Sequence, residues 1–250
     1  MIIGAILVAR LSSTRLPKKN ILRVSGKPMI EQLADRVLKA KLVDKVIIAT
    51  SNLPSDDPLE ELAKKNGIGC YRGSLDNVME RISMASSSYG CDTIVEILGD
   101  NPLVHSDLID NVIELYLNEK LDYAANITTE YKPYSIGKKL FPIGLRVQVY
   151  SKKVADQYCN YPDYPSNGRH PCAFIFDHPE KYKVGYLEAI EKWAFINYPD
   201  LNFAVNYPKN FELTKKIFAC NYPSDNNFDL KLIFNQLDRE PKLLELFGPE

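Results

Sequence analysis

The sequence predicts an α/β fold: a Rossmann-like, doubly wound, mostly parallel sheet with an antiparallel extension. Three observations carry this expectation. A continuous apolar run at residues 2–9 and short, largely apolar runs at 46–50 and 93–98 fit the pattern of central strands covered on both faces. Between them lie segments with apolar residues at i, i+3 and i+4, the period of helices that bury one stripe. Beyond residue 120 the alternation gives way to a stretch rich in Tyr, Pro and Asn, read as the antiparallel extension.

Taken in order, residues 2–9 form the first strand. Pro28 opens a helix through about Lys41, with Met29, Ile30, Leu33, Val37 and Leu38 on one face. Val46–Thr50 is the second strand. Ser55-Asp56-Asp57-Pro58 starts a helix that ends near Asn66-Gly67. Ile68–Tyr71 is a third strand, Leu75–Tyr89 a helix closed by Gly90, Thr93–Leu98 a fourth strand and Asp107–Asn118 a further helix. Leu140–Tyr150 and Tyr182–Leu187 are strand candidates of the extension, and Leu201–Val205 is expected to return to the sheet. Lys209–Phe218 then reads as a helix, and 229–246 as a helical tail interrupted at Pro241. Residues 1–250 are read as a single domain, with 121–187 an arm inserted within it. In such sheets ligands bind outside the carboxyl ends of the strands, where the strand order reverses. Residues 9–19, 50–57, 72–76 and 99–102 therefore matter most.

Composition narrows the class of function. The formal net charge of −1 supplies no global basic field, which argues against nucleic acid and anionic membrane as partners. No stretch approaches the roughly 20 apolar residues needed to span a bilayer. The apolar start has no basic leader and is broken by Arg10, unlike a signal peptide. Cys70, Cys91, Cys159, Cys172 and Cys220 are odd in number and lack C-x-x-C spacing, which suits reduced thiols rather than a disulfide framework or a zinc site. A cytoplasmic protein is expected.

The segment Ala9-Arg10-Leu11-Ser12-Ser13-Thr14-Arg15-Leu16-Pro17-Lys18-Lys19 follows the first strand, where a phosphate loop belongs. It gathers Arg10, Arg15, Lys18 and Lys19 with three hydroxyls. Arginine forks match phosphate oxygens in pairs, and a lysine offers a mobile point charge. Such a set suits a triphosphate and the charge that grows on a pyrophosphate leaving group. Alone, the loop also admits the plainer reading of a solvated basic surface loop. It contains neither G-x-x-x-x-G-K-S/T nor G-x-G-x-x-G, which argues against a P-loop kinase and a dinucleotide dehydrogenase. Leu98-Gly99-Asp100-Asn101-Pro102 follows the fourth strand. Asp100 is placed either to hold a hard cation or to cap a turn; magnesium on a triphosphate needs only one or two protein carboxylates.

The run A-R-x-x-S-T-R-L-P-x-K, followed some ninety residues later by G-D-x-P-L, resembles the cytidylyltransferases that activate acidic sugars, the acylneuraminate and 3-deoxy-octulosonate enzymes. The resemblance is nearest to the spore-coat polysaccharide branch. Gly26-Lys27-Pro28-Met29, Asp56-Asp57-Pro58, Arg72-Gly73-Ser74 and Phe141-Pro142-Ile143-Gly144-Leu145 agree with that branch in order and spacing. The resemblance implies a nucleotide-diphospho-sugar transferase-like fold and transfer of CMP from CTP to an acidic sugar or related small acceptor, with release of pyrophosphate, for surface polysaccharide synthesis. It implies that Arg10, Ser13, Arg15 and Lys19 contact the phosphates, with Arg10, Arg15 and above all Lys19 catalytic. Leu7 and Ala9 would line the base pocket, and Thr50, Arg72 and Ser74 would lie near base or ribose. Gly144, Gln148, Arg169 and His170 would meet the acceptor. Asp100 and the residue at 206 would hold Mg2+. Relatives are commonly dimers, so 121–187 is expected to serve acceptor binding and homodimerisation.

Three places depart from the pattern, one of them the R-E-H-like element of the relatives, which is replaced here by Gly168-Arg169-His170-Pro171. Family members carry acidic residues where this chain reads Val205-Asn206-Tyr207-Pro208-Lys209-Asn210, so the second metal carboxylate becomes an amide at Asn206. The branch generally has Glu where this chain has Gln148. These departures keep two alternatives open: a nucleotide-binding protein of the same fold without turnover, and nucleotidyl transfer to a phosphorylated sugar or polyol.

Overall fold

The computed structural model describes residues 1–131, 134–159, 175, 178, 180–222 and 225–247. The chain runs through β1 (Ile3–Val8), a hairpin of β2 (Arg23–Val24) and β3 (Lys27–Pro28), α1 (Met29–Val37), β4 (Lys45–Ser51) and α2 (Asp57–Lys65). It continues through β5 (Gly69–Gly73), α3 (Val78–Ser88), β6 (Thr93–Leu98), α4 (Ser106–Asn118) and β7 (Tyr123–Asn126). β8 (Gln148–Ser151), α5 (Lys152–Cys159), β9 (Val184–Leu187), α6 (Pro208–Asn221) and α7 (Leu230–Arg239) follow.

Nine strands, less the hairpin, make one seven-stranded sheet in the order β5-β4-β1-β6-β8-β7-β9. β1 lies inside it, parallel to β4 on one side and to β6 on the other, with β5 parallel beyond β4. β8 runs against β6 and β7, and β9 lies parallel to β7. The apolar run of β1 feeds both faces, as its alternating side chains require. Ile3, Ala5 and Leu7 join the layer under α1, α2, α4, α6 and α7. Ile6 joins Met79, Ile82 and Ala85 of α3 and Val154 and Ala155 of α5 on the other face. Helices cover both faces, and the sheet is doubly wound as expected.

Element ends differ from the sequence reading for local reasons. α1 stops at Val37 because the Lys39 and Ala40 amides fold back onto the Arg36 and Val37 carbonyls. α3 begins at Val78, not Leu75: Asn77 accepts from the Glu80 amide as N-cap, and Ser74 Oγ accepts from the Asn77 amide. The strand expected over 140–150 is realised only from Gln148. Leu201–Val205 does not enter the sheet; it meets Ile143 in a single bridge at Asn202. The Ile143 amide donates to Leu201 and the Phe203 amide to Ile143, but Pro142 has no N–H to extend the ladder. Gly144, with φ +90°, turns the chain away, and its α-carbon passes so close that a Cβ there would lie 2.2 Å from the Ala204 nitrogen. The tail breaks at Pro241 as expected, from α7 into a 3-10 turn over Pro241–Leu246. The described part of 121–187 supplies β7, β8, α5 and β9. Cys70, Cys91, Cys159 and Cys220 are free thiols; Cys172 lies outside the described residues.

Candidate active site

The chain leaves β1 for β4 and reaches β6, on the other side of β1, only after β5. The strand order therefore reverses between β1 and β6, and the loops leaving their carboxyl ends face one another. Gly99 brings them together: its amide donates to the Val8 carbonyl at 2.8 Å. A Cβ on Gly99 would lie 2.9 Å from the Ala9 Cβ and 3.1 Å from the Val8 oxygen, so a larger residue would push the loops apart.

The loop after β1 is held in an open arc. The Ala9 amide donates to Ala49 at 3.2 Å, and the Lys18 amide returns to the Leu11 carbonyl at 3.2 Å. Lys18 takes the left-handed conformation (φ 56°) to close this turn, and Asn20 Nδ2 holds the Arg10 carbonyl at 3.0 Å. The arc is pinned to β4 through Asp56, which is fully buried. Asp56 accepts from the Leu11 amide at 2.8 Å, Thr50 Oγ1 at 3.0 Å and Ser51 Oγ at 2.5 Å. Burial pushes the Asp56 carboxyl up, but donation from the Ser51 hydroxyl, the Leu11 amide and Thr50 outweighs it and holds the group below the usual carboxylate value.

A cleft of about 620 Å³ opens between these loops. Arg10, Ser13, Arg15 and Lys19 line one wall, and Leu75, Val78 and Arg81 the side formed by the β5–α3 connection; Ala9 and Asp100 also line it. Lys19 Nζ lies 2.6 Å from Asp100 Oδ2 and donates to Asn206 Oδ1 at 3.2 Å. Arg15 Nη2 donates to the same Asn206 oxygen at 2.9 Å, with its guanidinium carbon 5.4 Å from the centre of the Tyr207 ring. Asn206 is brought here by the 201–206 segment: the Val205 amide donates to the Asp100 carbonyl at 2.9 Å. Asn210, in the first turn of α6, accepts from the amides of Asn206 and Tyr207. Asp100 Oδ1 is buried and has no hydrogen-bond partner among the described residues. An unpartnered carboxylate oxygen on a residue that lines a cleft of cations suits a small hard cation that takes its other ligands from phosphate and water. No group of three or more His, Cys, Asp or Glu suited to a metal occurs among the described residues.

Of the residues expected from sequence, Ala9, Arg10, Ser13, Arg15, Lys19 and Asp100 line the cleft, and Asn206 joins Arg15 and Lys19. Others do not reach its wall. Leu7 is fully buried in the layer beneath α1 and α4. Thr50 is likewise buried and spends its hydroxyl on Asp56. Arg72 is drawn to the start of α2, 2.6 Å from Asp57 and 2.8 Å from Glu60, and donates to the Ser51 and Leu53 carbonyls. Ser74 braces the start of α3. Gly144 packs against 203–204. Gln148 is buried in β8 opposite Glu96, accepting from the Tyr123 hydroxyl at 2.6 Å. Arg169 and His170 lie outside the described residues. Sequence reasoning missed Asn20 and Arg81 in the cleft. The signal for Arg81 was its place one turn into the helix that follows the third strand, at the same sheet edge as the cationic loop.

Fold and cleft together define a nucleotidyltransferase. The family model described as cytidylyltransferase matches residues 4–232, and the chain belongs to that family. It is 29% identical over 245 residues to an uncharacterized protein of Methanocaldococcus jannaschii, covering 97% of this chain and 92% of that one. It is 27% identical over 218 residues to the spore coat polysaccharide biosynthesis protein SpsF of Bacillus subtilis, covering 85% of each. The structure of a cytidylyltransferase from Leptospira borgpetersenii superposes with a TM-score of 0.86 over 100% of this chain and 99% of that chain, at 21% identity.

Proposed function

We propose that the protein transfers CMP from CTP to an acidic sugar or a related small acceptor, releasing pyrophosphate, in the cytoplasmic synthesis of a surface polysaccharide. The observation that carries this reading is the convergence of Arg10, Arg15 and Lys19 on one cleft with an open oxygen of Asp100. An acceptor hydroxyl oxygen attacks the α-phosphorus in line. The new O–P bond forms as the bond from the α-phosphorus to the bridging β-oxygen breaks, the electron pair leaves on pyrophosphate, and the hydroxyl proton passes to solvent. Arg10 and Arg15 hold the β- and γ-phosphates, and Lys19 offsets the charge that grows at the α-phosphate. Asp100 and the Asn206 amide oxygen would hold Mg2+, which supplies charge neutralisation on the triphosphate. No covalent intermediate is required, since positioning and electrostatics carry such a step.

In this reading the acceptor would meet the 121–187 arm, including Arg169 and His170, and a second copy of the chain would complete a homodimer. The substitution of an amide at Asn206 favours one competing reading, a nucleotide-binding protein without turnover, because the site then holds a single carboxylate already paired with Lys19. Pyrophosphate release with each nucleoside triphosphate, magnesium and a panel of acidic ketoses, sugar phosphates and polyol phosphates separates the two. Release with CTP and an acidic ketose supports the proposal. Release only with a sugar or polyol phosphate moves the acceptor class, and specific CTP binding with no release across the panel overturns transfer.

A further inference from the structure

Arg81 is a large cation almost wholly buried in a cleft already rich in positive charge, at 2% exposure. Its Nη1 donates to the carbonyls of Ser74 at 2.5 Å and Leu75 at 3.3 Å. These bonds fix one edge of the guanidinium plane. The other edge is unpartnered: Nε is buried without a hydrogen-bond partner among the described residues, and the described side-chain hydrogen bonds of Arg81 all leave from Nη1. Burial depresses the guanidinium's proton affinity, and the neighbouring charge of Arg10 adds to the effect, with Asp56 opposing it. An unmade bond at a buried charged donor is costly, which makes such a donor conspicuous unless a ligand satisfies it.

The cleft that Arg81 shares with the cationic loop also carries apolar surface. Val8, Leu75 and Val78 line the cleft beside Arg81, apolar surfaces suited to the faces of a planar ring. Nε–H and one Nη2–H of arginine form two parallel donors, the fork that matches a pair of adjacent acceptors in one plane. Among pyrimidines, cytosine presents such a pair at O2 and N3. Uracil has a donor at N3, which would point at the guanidinium.

We propose that Arg81 reads the O2/N3 edge of the nucleotide's cytosine and sets the preference for CTP over UTP. This rests on the cytidylyl reading above and deepens it, since the cationic side chains of the loop after β1 suit any triphosphate and do not by themselves distinguish one base from another. A base-reading arginine loses selectivity when replaced, whereas a phosphate-holding arginine loses affinity for all triphosphates alike.

The test measures binding of CTP, UTP and 3-deaza-CTP, which lacks the N3 acceptor, by calorimetry with magnesium present. The expected result is that the unsubstituted protein binds CTP at least tenfold more tightly than either analogue. Arg81→Lys, which keeps charge and stem but not the fork, is expected to bring the three affinities within about threefold of one another. Because the wild-type comparison uses only altered nucleotides, a poorly folding variant does not remove the test. Equal binding of CTP and 3-deaza-CTP by the unsubstituted protein overturns the assignment, as does an Arg81→Lys variant that keeps the wild-type ratio or weakens all three nucleotides equally. If the unsubstituted protein binds UTP or a purine triphosphate in preference to CTP, the cytidylyl reading itself fails. Tight, CTP-selective binding that ignores N3 sinks only the role of Arg81.

Discussion

Lys19 stands between Asp100 and Asn206, its ammonium within hydrogen-bond reach of both, while Arg15 holds the other side of the Asn206 oxygen. Each of these side chains is therefore oriented before any phosphate arrives, which is the preorganisation that electrostatic catalysis requires. Replacing Lys19 with Ala is expected to lower kcat by about 10²–10³-fold with a smaller effect on CTP affinity, the usual cost of one preorganised donor at a developing charge. Near-normal pyrophosphate release by that variant would take the role away from Lys19. Asn206→Asp restores a second carboxylate beside Asp100 and is expected to retain or strengthen magnesium binding to the CTP complex, followed by metal titration. A clear fall in magnesium affinity would remove position 206 from the metal's surroundings. Residue identities at this scale were the most readable part of the sequence, because charge and position after a strand mark them directly. What could not be read was commitment. Thr50 and Arg72 carry groups fit for a ligand, yet Asp56 and the acidic first turn of α2 already occupy them.

At the scale of elements, the cationic loop after β1 is only as well placed as its anchor. Asp56 ties Leu11 to the end of β4 from the short turn before α2, so one carboxylate links three separate segments. Its folded-state proton affinity is lowered, so its contribution to stability is present above the ordinary value of 3.8 and is lost as pH falls through the folded value. Wild-type protein is therefore expected to exceed Asp56→Asn in stability by a constant margin from pH 8 to about pH 4. The margin then narrows on further acidification, measured by denaturant unfolding across pH. A margin unchanged at pH 3 would show that the charge of Asp56 is not what holds the loop. Strands β1, β4 and β6 were legible from short, mostly apolar and β-branched runs, and β6 falls on the residues expected. β7 was not, since Tyr-Ala-Ala-Asn has neither the β-branched residues nor the length that marks a strand. The 201–205 segment misled for the opposite reason. Its alternation suits a strand, but its potential partner contains Pro142 and Gly144, a pairing constraint that no local pattern reveals.

Across the whole molecule, the C-terminal third closes over the layer that the first α/β units leave open. Arg36 of α1 is the tie: fully buried, it donates to the carbonyls of Val104, Asn226 and Leu103 and lies 4.6 Å from the centre of the Phe228 ring. Burial pulls its proton affinity down to about 9, partly offset by Asp225. Arg36→Met would remove the buried charge but strand the carbonyls it serves, and a loss of about 3 kcal/mol or more is expected. If urea unfolding shows a loss under 1 kcal/mol, desolvation of the guanidinium had cancelled its bonds. Among the described residues no helix is long and apolar enough to cross a membrane. The doubly wound architecture was legible from the order of elements, whereas the joining of the tail to α1 was not, because contacts between residues 36 and 226 leave no trace in spacing.

The Val205 amide on the Asp100 carbonyl, and the Asn206 oxygen between Arg15 and Lys19, mean that the cleft is assembled from both ends of the polypeptide. The residues that pin the cationic arc, Asn20 and Asp56, lie in the first quarter of the sequence, whereas the segment that meets its side chains follows only after residue 200. A nascent chain that stops short of Asn206 therefore lacks the residue that Arg15 and Lys19 both hold, and cannot carry the complete constellation.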